Sequence, residues 1–291
     1  MSSSKKFAPE KEKNKTEKGV LYLVATPIGN LSDISERALK VLSEVDVVAA
    51  EDTRNSAKLL SFFGISKPLV SYFEHNKRER GEEMIAMLKG GSSVALITDA
   101  GTPAISDPGE DLVALCAQEG IKVTSVPGCC AAVNALALSG LPTGRFVFEG
   151  FLPMNKADRR ERLAEISVEK RTLILYEAPH KLKNTLKDLC EYFGADRRIT
   201  LCREMTKLNE EVFRTDIASA MERYEENEPR GEYVLIIEGA KAKPVAEDDR
   251  SVRERLSDYI NSGMDKKEAI KLVAKEMGLP KNAVYMEAVD L

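Results

Sequence analysis

The chain has 291 residues, room for two domains and a small third, and its 43% hydrophobic and 31% charged content fits a globular protein in water. No apolar run approaches a membrane span and no signal-sequence pattern opens the chain. A formal net charge of -4 does not advertise a nucleic-acid partner, although an average over the whole surface conceals any basic patch.

Residues 1–18 are Ser, Lys, Glu and Asn with almost nothing apolar and are expected to form a disordered tail. From Gly19 onward, short apolar runs alternate with helix-period segments. Strands are expected over 20–25, 45–50, 69–72, 94–97 and 123–126. Helices are expected over 34–42, 55–63, 80–88, 111–118 and 131–138, the first capped by Ser32 or Asp33. This β/α alternation predicts a first α/β domain, 19–140, with a mostly parallel sheet covered on both faces.

Gly140-Leu-Pro-Thr-Gly144 reads as a linker to a second α/β domain, 141–240. Its strands are expected over 146–149, 172–176, 199–203, 211–214 and 233–237, with helices over 159–166, 181–192 and 217–223. No helix separates the two strands around Lys207, so this sheet is expected to be mixed. A polar stretch then leads into a helical segment, 241–291, with helices over 252–260, 266–277 and 283–290. The turn Gly278-Leu-Pro-Lys-Asn282, with Asn282 as N-cap, gives the last two a helix-turn-helix-like form; a plain helical hairpin reads equally well.

The cysteines are Cys116, Cys129, Cys130, Cys190 and Cys202, an odd count without a C-x-x-C pair. With His75 and His180 the only histidines, a metal site is not expected, and free thiols in a reducing cytoplasm are. Chemistry is expected in loops at strand ends, where open α/β sheets bind ligands. Asp99-Ala-Gly-Thr-Pro-Ala-Ile-Ser-Asp-Pro-Gly109 holds two Gly and two Pro, which end a strand and shape a loop. It is either a ligand loop or an ordinary turn with a cap at Asp107 or Ser106. Thr26-Pro-Ile-Gly-Asn-Leu31 and Pro127-Gly-Cys-Cys-Ala-Ala132 follow strands of the same sheet. Neither G-x-G-x-x-G nor G-x-x-x-x-G-K-[ST] occurs, which disfavours nicotinamide dinucleotides and nucleoside triphosphates.

These strings occur in order with Ala50-Glu-Asp-Thr-Arg54, Glu149-Gly-Phe-Leu-Pro153, Tyr176-Glu-Ala-Pro-His180, Arg203-Glu-Met-Thr-Lys207 and Gly231-Glu-Tyr-Val-Leu-Ile-Ile-Glu-Gly239. Together they resemble the tetrapyrrole methylase superfamily, and within it the branch acting on small-subunit ribosomal RNA. The resemblance implies an α/β tetrapyrrole methylase-like fold, with S-adenosylmethionine bound in a cleft between two α/β domains. It implies transfer to the ribose 2′-hydroxyl of a cytidine in the decoding region of 16S rRNA, and a homodimer. By position, Asp99, Gly101, Thr102 and Pro103 would border the donor's methionine part. Cys129, Cys130 and Ala131 would flank its adenosine, with Tyr176 and Ala178 opposite; Cys129 stands where such enzymes usually carry Pro.

A ribose hydroxyl is a poor nucleophile and calls for a base or an electrostatic aid. Glu51, Asp52, His75 and Glu177 are the candidates, with the Glu51–Arg54 segment favoured because its strand should end on the ligand edge. RNA contact is expected from Arg54, Asn76, Lys77, Arg78, Arg159, Arg160 and the C-terminal helices. A tetrapyrrole carbon methyltransferase and a non-catalytic RNA-binding protein are the alternatives. Against the first stands the loop 26–31, which lacks that branch's Gly-rich form.

Overall fold

In the computed structural model, which describes residues 15–241 and 250–289, the first sheet is wholly parallel. Its strands are β1 (Val20–Val24), β2 (Val47–Ala50), β3 (Leu69–Ser71), β4 (Val94–Ile97) and β5 (Lys122–Val126), in the order β3-β2-β4-β1-β5. Side chains alternate across the strands and build an apolar layer on each face. Val20, Val24 and Val48 meet Val41 and Leu42 of α1 (Glu36–Glu44) and Leu60 of α2 (Thr53–Phe62). On the other face, Leu21 and Leu96 meet Met84 and Leu88 of α3 (Lys77–Lys89) and Leu112 and Cys116 of α4 (Gly109–Gln118). Because every strand points the same way, the loops after β1, β2, β4 and β5 all emerge at one edge.

The second sheet is mixed. Its strands β6 (Phe146–Phe151), β7 (Thr172–Glu177), β8 (Arg198–Arg203), β9 (Glu211–Asp216) and β10 (Tyr233–Ile237) run β6-β7-β10-β8-β9. Only β6 and β7 are parallel, and β8–β9 is the hairpin expected around Lys207. One face packs on α6 (Lys156–Ser167), α7 (Pro179–Phe193) and α8 (Ile217–Glu226) through Leu163, Leu182, Leu186, Leu189 and Ile217.

The opposite face is covered by α5 (Ala131–Ser139), although α5 follows β5 of the first sheet. Ala132, Ala135 and Leu136 contact the layer of Ile174, Cys202, Val234 and Ile236. The Thr200 hydroxyl donates to Ser139 O at 3.0 Å and Arg214 Nε to Leu138 O at 3.1 Å. These bonds satisfy carbonyls at the helix end that have no partner within the helix.

Residues up to Ala240 form one compact unit and those from Lys241 a second. In the second, α9 (Val252–Asn261), α10 (Lys266–Glu276) and α11 (Lys281–Ala288) enclose Leu256, Ala269, Val273 and Val284. A reciprocal capping box of Ser251 and Glu254 starts α9.

Several local expectations are corrected. The cap of α1 is Ser35, whose hydroxyl takes the Ala38 N–H, while Leu31–Asp33 is a separate 3-10 turn capped by Asn30. Asn282 lies inside α11, whose cap position is Pro280, an extended residue with ψ of 137°. The cap position of α4 is Pro108, yet the Asp107 carboxylate still takes the Gly109 N–H. The expected tail falls mostly outside the described residues; within it, Thr16 donates to Glu44 and Glu17 N to the Tyr22 hydroxyl. The polar stretch 242–249 and the expected helix end at Asp290 also lie outside the described residues.

Candidate active site

The site begins as a laced set of loops at the carboxyl edge of the first sheet. Thr26 and Gly101 exchange backbone hydrogen bonds of 2.9 and 3.1 Å, and the Thr26 hydroxyl donates to Thr98 O at 3.1 Å. Gly101 holds φ at 88°, where a residue with a side chain is strained by about 1–2 kcal/mol. The Thr102 hydroxyl donates to Cys129 O at 2.9 Å. Gly128 lies so near Ala25 that a Cβ there would be 2.9 Å from the alanine methyl. The three loops singled out in the sequence are therefore one bonded cluster.

Beside it opens a cavity of about 530 Å³. The first sheet's loops contribute Ile28, Glu51, Thr98, Ala131 and the segment 105–108; the second sheet contributes Phe151, Tyr176, Glu177, Ala178, His180, Met205 and Tyr233. Of the residues expected at a methyl donor, Ala131, Tyr176 and Ala178 line it. The Tyr176 ring is fixed edge-on against Phe148 and Phe151, with centroids at 5.2 and 5.6 Å. Asp99 faces a neighbouring hollow of about 210 Å³ together with Gly29, Leu31 and Leu59, and accepts from Asn55 Nδ2 at 3.3 Å. Gly101, Thr102, Pro103, Cys129 and Cys130 border neither hollow. Pro103 is buried, the Cys129 thiol contacts Asp33 O, and Cys130 precedes α5.

The four proton-acceptor candidates separate clearly. Glu51 sits on the cavity wall and accepts from the Thr98 hydroxyl at 3.3 Å. Partial burial, then the charge of Asp99, raise its pKa above the ordinary carboxylate value. Glu177 also borders the cavity but is only 5% exposed, with one oxygen accepting from the Thr185 hydroxyl and the other from Ala178 N. Asp52 caps α2 and pairs with Arg54 at 3.0 Å; hydrogen bonds from that guanidinium and from Arg54 N hold its pKa at about 2. His75 lies in an exposed turn with its ring edge-on to Phe73, away from the cavity.

The basic residues divide in the same way. Lys77 is held between Glu74 and Asp111, each at 2.7 Å, and Arg159 between Asp188 at 2.7 Å and Thr185 at 2.8 Å. Asn76 closes its own turn by accepting from Phe73 N and donating to Ser71 O. Arg78 and Arg160 are exposed, and the Arg54 side chain is 86% exposed despite its pairing.

Asp107, read from the sequence only as a helix cap, also lines the cavity. Its Oδ1 accepts from Ala104 N at 2.9 Å and Gly109 N at 2.7 Å, clasping a loop in which Ala104 and Ser106 have φ of 64° and 62°. Its Oδ2 is buried at the cavity without a hydrogen-bond partner. Strained loop residues and an unsatisfied buried oxygen are costly unless a ligand uses them. The signal was present in the Asp-Pro-Gly string, since Asp ahead of a turn bonds the backbone two residues on. Met205 and Tyr233 likewise lie in strings quoted above without a role.

Among the described residues no helix is long and apolar enough to cross a membrane, and no cluster of His, Cys, Asp or Glu is placed to hold a metal ion.

A family profile described as Tetrapyrrole (Corrin/Porphyrin) Methylases matches residues 20–220. The chain is 48% identical to the ribosomal RNA small subunit methyltransferase I of Halalkalibacterium halodurans, over 92% of this chain and 94% of that one. It is 44% identical to the protein of the same name from Synechocystis, over 94% and 98%. In fold it is similar to the uroporphyrin-III-C-methyltransferase of Thermus thermophilus, with a TM-score of 0.52, 23% identity, and coverage of 76% and 94%.

Proposed function

The chain belongs to the tetrapyrrole methylases and, within them, to the ribosomal RNA small subunit methyltransferase I family, and from that premise we propose how its cavity works. The protein is an S-adenosylmethionine-dependent ribosomal RNA methyltransferase. The finer reading is that the acceptor is the ribose 2′-hydroxyl of a cytidine in the decoding region of 16S rRNA.

The residues present suit the donor. A hollow of about 530 Å³, whose apolar wall of Ile28, Ala131, Tyr176 and Met205 is joined by the carboxylates of Glu51, Asp107 and Glu177, has the size and character of a cofactor site. The unpartnered Asp107 oxygen offers an acceptor to an ammonium or hydroxyl group. When bound, the donor supplies a methyl group made electrophilic by its sulfonium. In this reading Tyr176 and Ala131 hold the adenosine part, Asp107 takes a donor N–H or O–H, and the Asp99–Asn55 pair braces the adjoining loop. Glu51 would accept the proton that the ribose hydroxyl loses as its oxygen bonds the methyl carbon, the carbon–sulfur bond breaking to leave a neutral thioether. Its raised pKa makes it a better acceptor near neutral pH than an ordinary carboxylate. Of the basic residues named from the sequence in the first two domains, Arg54, Arg78 and Arg160 are the ones exposed to RNA phosphates.

The single observation behind the base assignment is that Glu51 alone among the four candidates combines a place on the cavity wall with exposure to solvent. The test is transfer of labelled methyl to isolated small ribosomal subunits, followed by alkaline hydrolysis. A 2′-O-methyl nucleotide blocks cleavage at its own linkage, so label should emerge in an alkali-resistant dinucleotide. Label on a base would overturn the 2′-hydroxyl reading. Label passed to uroporphyrinogen but not to subunits would favour the tetrapyrrole alternative. We also infer a homodimer in the cytoplasm; the exposed Val133, Leu138 and Phe146 support it, and sedimentation of the purified chain tests the dimer.

A further inference from the structure

We propose that the C-terminal three-helix unit is an RNA-backbone anchor whose contact surface is the lysine stripe of α10 together with the exposed face of α11. The proposal rests on RNA being the substrate class. The whole chain carries a net charge of -4, so attraction to a polyanion has to be regional. Residues 241–291 carry ten Lys and Arg against ten Asp and Glu, so the attraction has to come from where the basic side chains stand.

The arrangement is more specific than the count. Helix α10 buries Ala269, Ile270, Val273 and Ala274. Lys267, Lys271 and Lys275 fall on the far side at i,i+4 spacing, one exposed stripe rising in steps of about 6 Å. None of the three makes an ion pair among the described residues. Nearby acids are engaged elsewhere: Asp265 caps the helix by taking Lys267 N, and Glu276 receives the Tyr259 hydroxyl and lies 3.8 Å from Arg255. Glu268 borders the stripe. Like charges at i,i+4 repel, so an isolated helix is destabilised by this pattern and a bound row of phosphates relieves it.

On α11 only Val284 and Ala288 are buried. Lys281, Asn282 and Tyr285 are exposed, Tyr285 to 59%. A cation, an amide and an aromatic ring one helical turn apart combine phosphate contact, base-edge bonding and stacking, as recognition of unpaired RNA requires. An acidic protein surface would need the lysines but would leave Tyr285 and Asn282 without a role.

The test compares the full chain with its Lys267→Glu/Lys271→Glu/Lys275→Glu variant, using a labelled RNA hairpin of arbitrary sequence in filter binding across a salt series. Affinity should fall at least about tenfold, and the slope of log K against log salt should flatten by roughly two to three, for three lost phosphate contacts. Tyr285→Ala should weaken RNA binding while leaving that slope unchanged. Donor binding by calorimetry should match the unaltered chain, showing that the first unit is intact. Equal RNA affinity and slope in the triple variant would overturn the anchor. So would loss of binding to phosphatidylserine vesicles without loss of RNA binding. If the unaltered chain transfers no methyl to subunits yet shows stripe-dependent RNA binding, the enzymatic reading fails and the anchor stands.

Discussion

The Thr98 hydroxyl donates to Glu51 Oε2 across 3.3 Å, joining the end of β4 to the end of β2 at the cavity wall. This bond stabilises the charged carboxylate, while partial burial and Asp99 oppose it more strongly, and the net shift is upward. The proton-accepting form therefore disappears as pH falls through a raised pKa. Methyl transfer should decline on that acid limb. Glu51→Gln should lower kcat by about 10²–10⁴-fold and abolish the limb while donor affinity holds. A pH profile of kcat checks this; an unchanged limb in the variant would move the base elsewhere.

Tyr176 is immobilised between Phe148 and Phe151, so its face is a preorganised wall. Tyr176→Ala should raise the donor Kd by about tenfold or more, measured by calorimetry, whereas Tyr176→Phe should stay near the original value. Equal loss in both would assign the contact to the hydroxyl.

Glu177 acts as a brace in this structure. Thr185 stands between it and Arg159, donating to the carboxylate and accepting from the guanidinium. Thr185→Val should cost about 1–3 kcal/mol of stability by leaving both charged groups short of a partner. Urea unfolding reads the loss directly. The acid limb assigned to Glu51 should persist in this variant.

Lys77 and Arg78 are adjacent yet should behave differently. Lys77 already holds two carboxylates, whose hydrogen bonds raise its pKa, whereas Arg78 is exposed. Arg78→Ala should raise KM for small subunits, and Lys77→Ala should leave KM near its original value. The two KM measurements, made side by side at one ionic strength, decide the point.

Strand and helix alternation was legible over residues 19–240 and 252–288 because apolar period and glycine-proline punctuation agree at nearly every junction. Caps were less legible: Ser32, Asp33, Ser35 and Asn282 all satisfy the same local rule, and only the entry angle of the chain chooses among them. Tyr176, Ala178 and Ala131, named from the quoted strings, line the larger cavity, whereas Asp99 faces the smaller hollow and Asp107, read only as a cap, faces the larger one. Both lead or close the same loop; the Asp-Pro-Gly string announces that Asp107 will bond the backbone, but only the positive-φ turn at Ala104 and Ser106 turns its second oxygen toward the cavity. The engagement of Lys77 by Asp111 and of Arg159 by Asp188 is likewise a tertiary fact, invisible to a count of basic residues.

The placement of α5 carries a consequence for biosynthesis. Its residues leave the ribosome directly after β5, but the surface it covers is completed only when β10 has been made. Throughout that interval a nascent chain carries Ala132, Ala135 and Leu136 against an incomplete layer that still lacks Val234 and Ile236. A truncated transcript ending near Gly140 would leave that helix permanently uncovered and prone to aggregate, so the first sheet and its last helix are poorly suited to separate expression. The order of translation thus makes the final strand of the second sheet the step that retires the exposed helix.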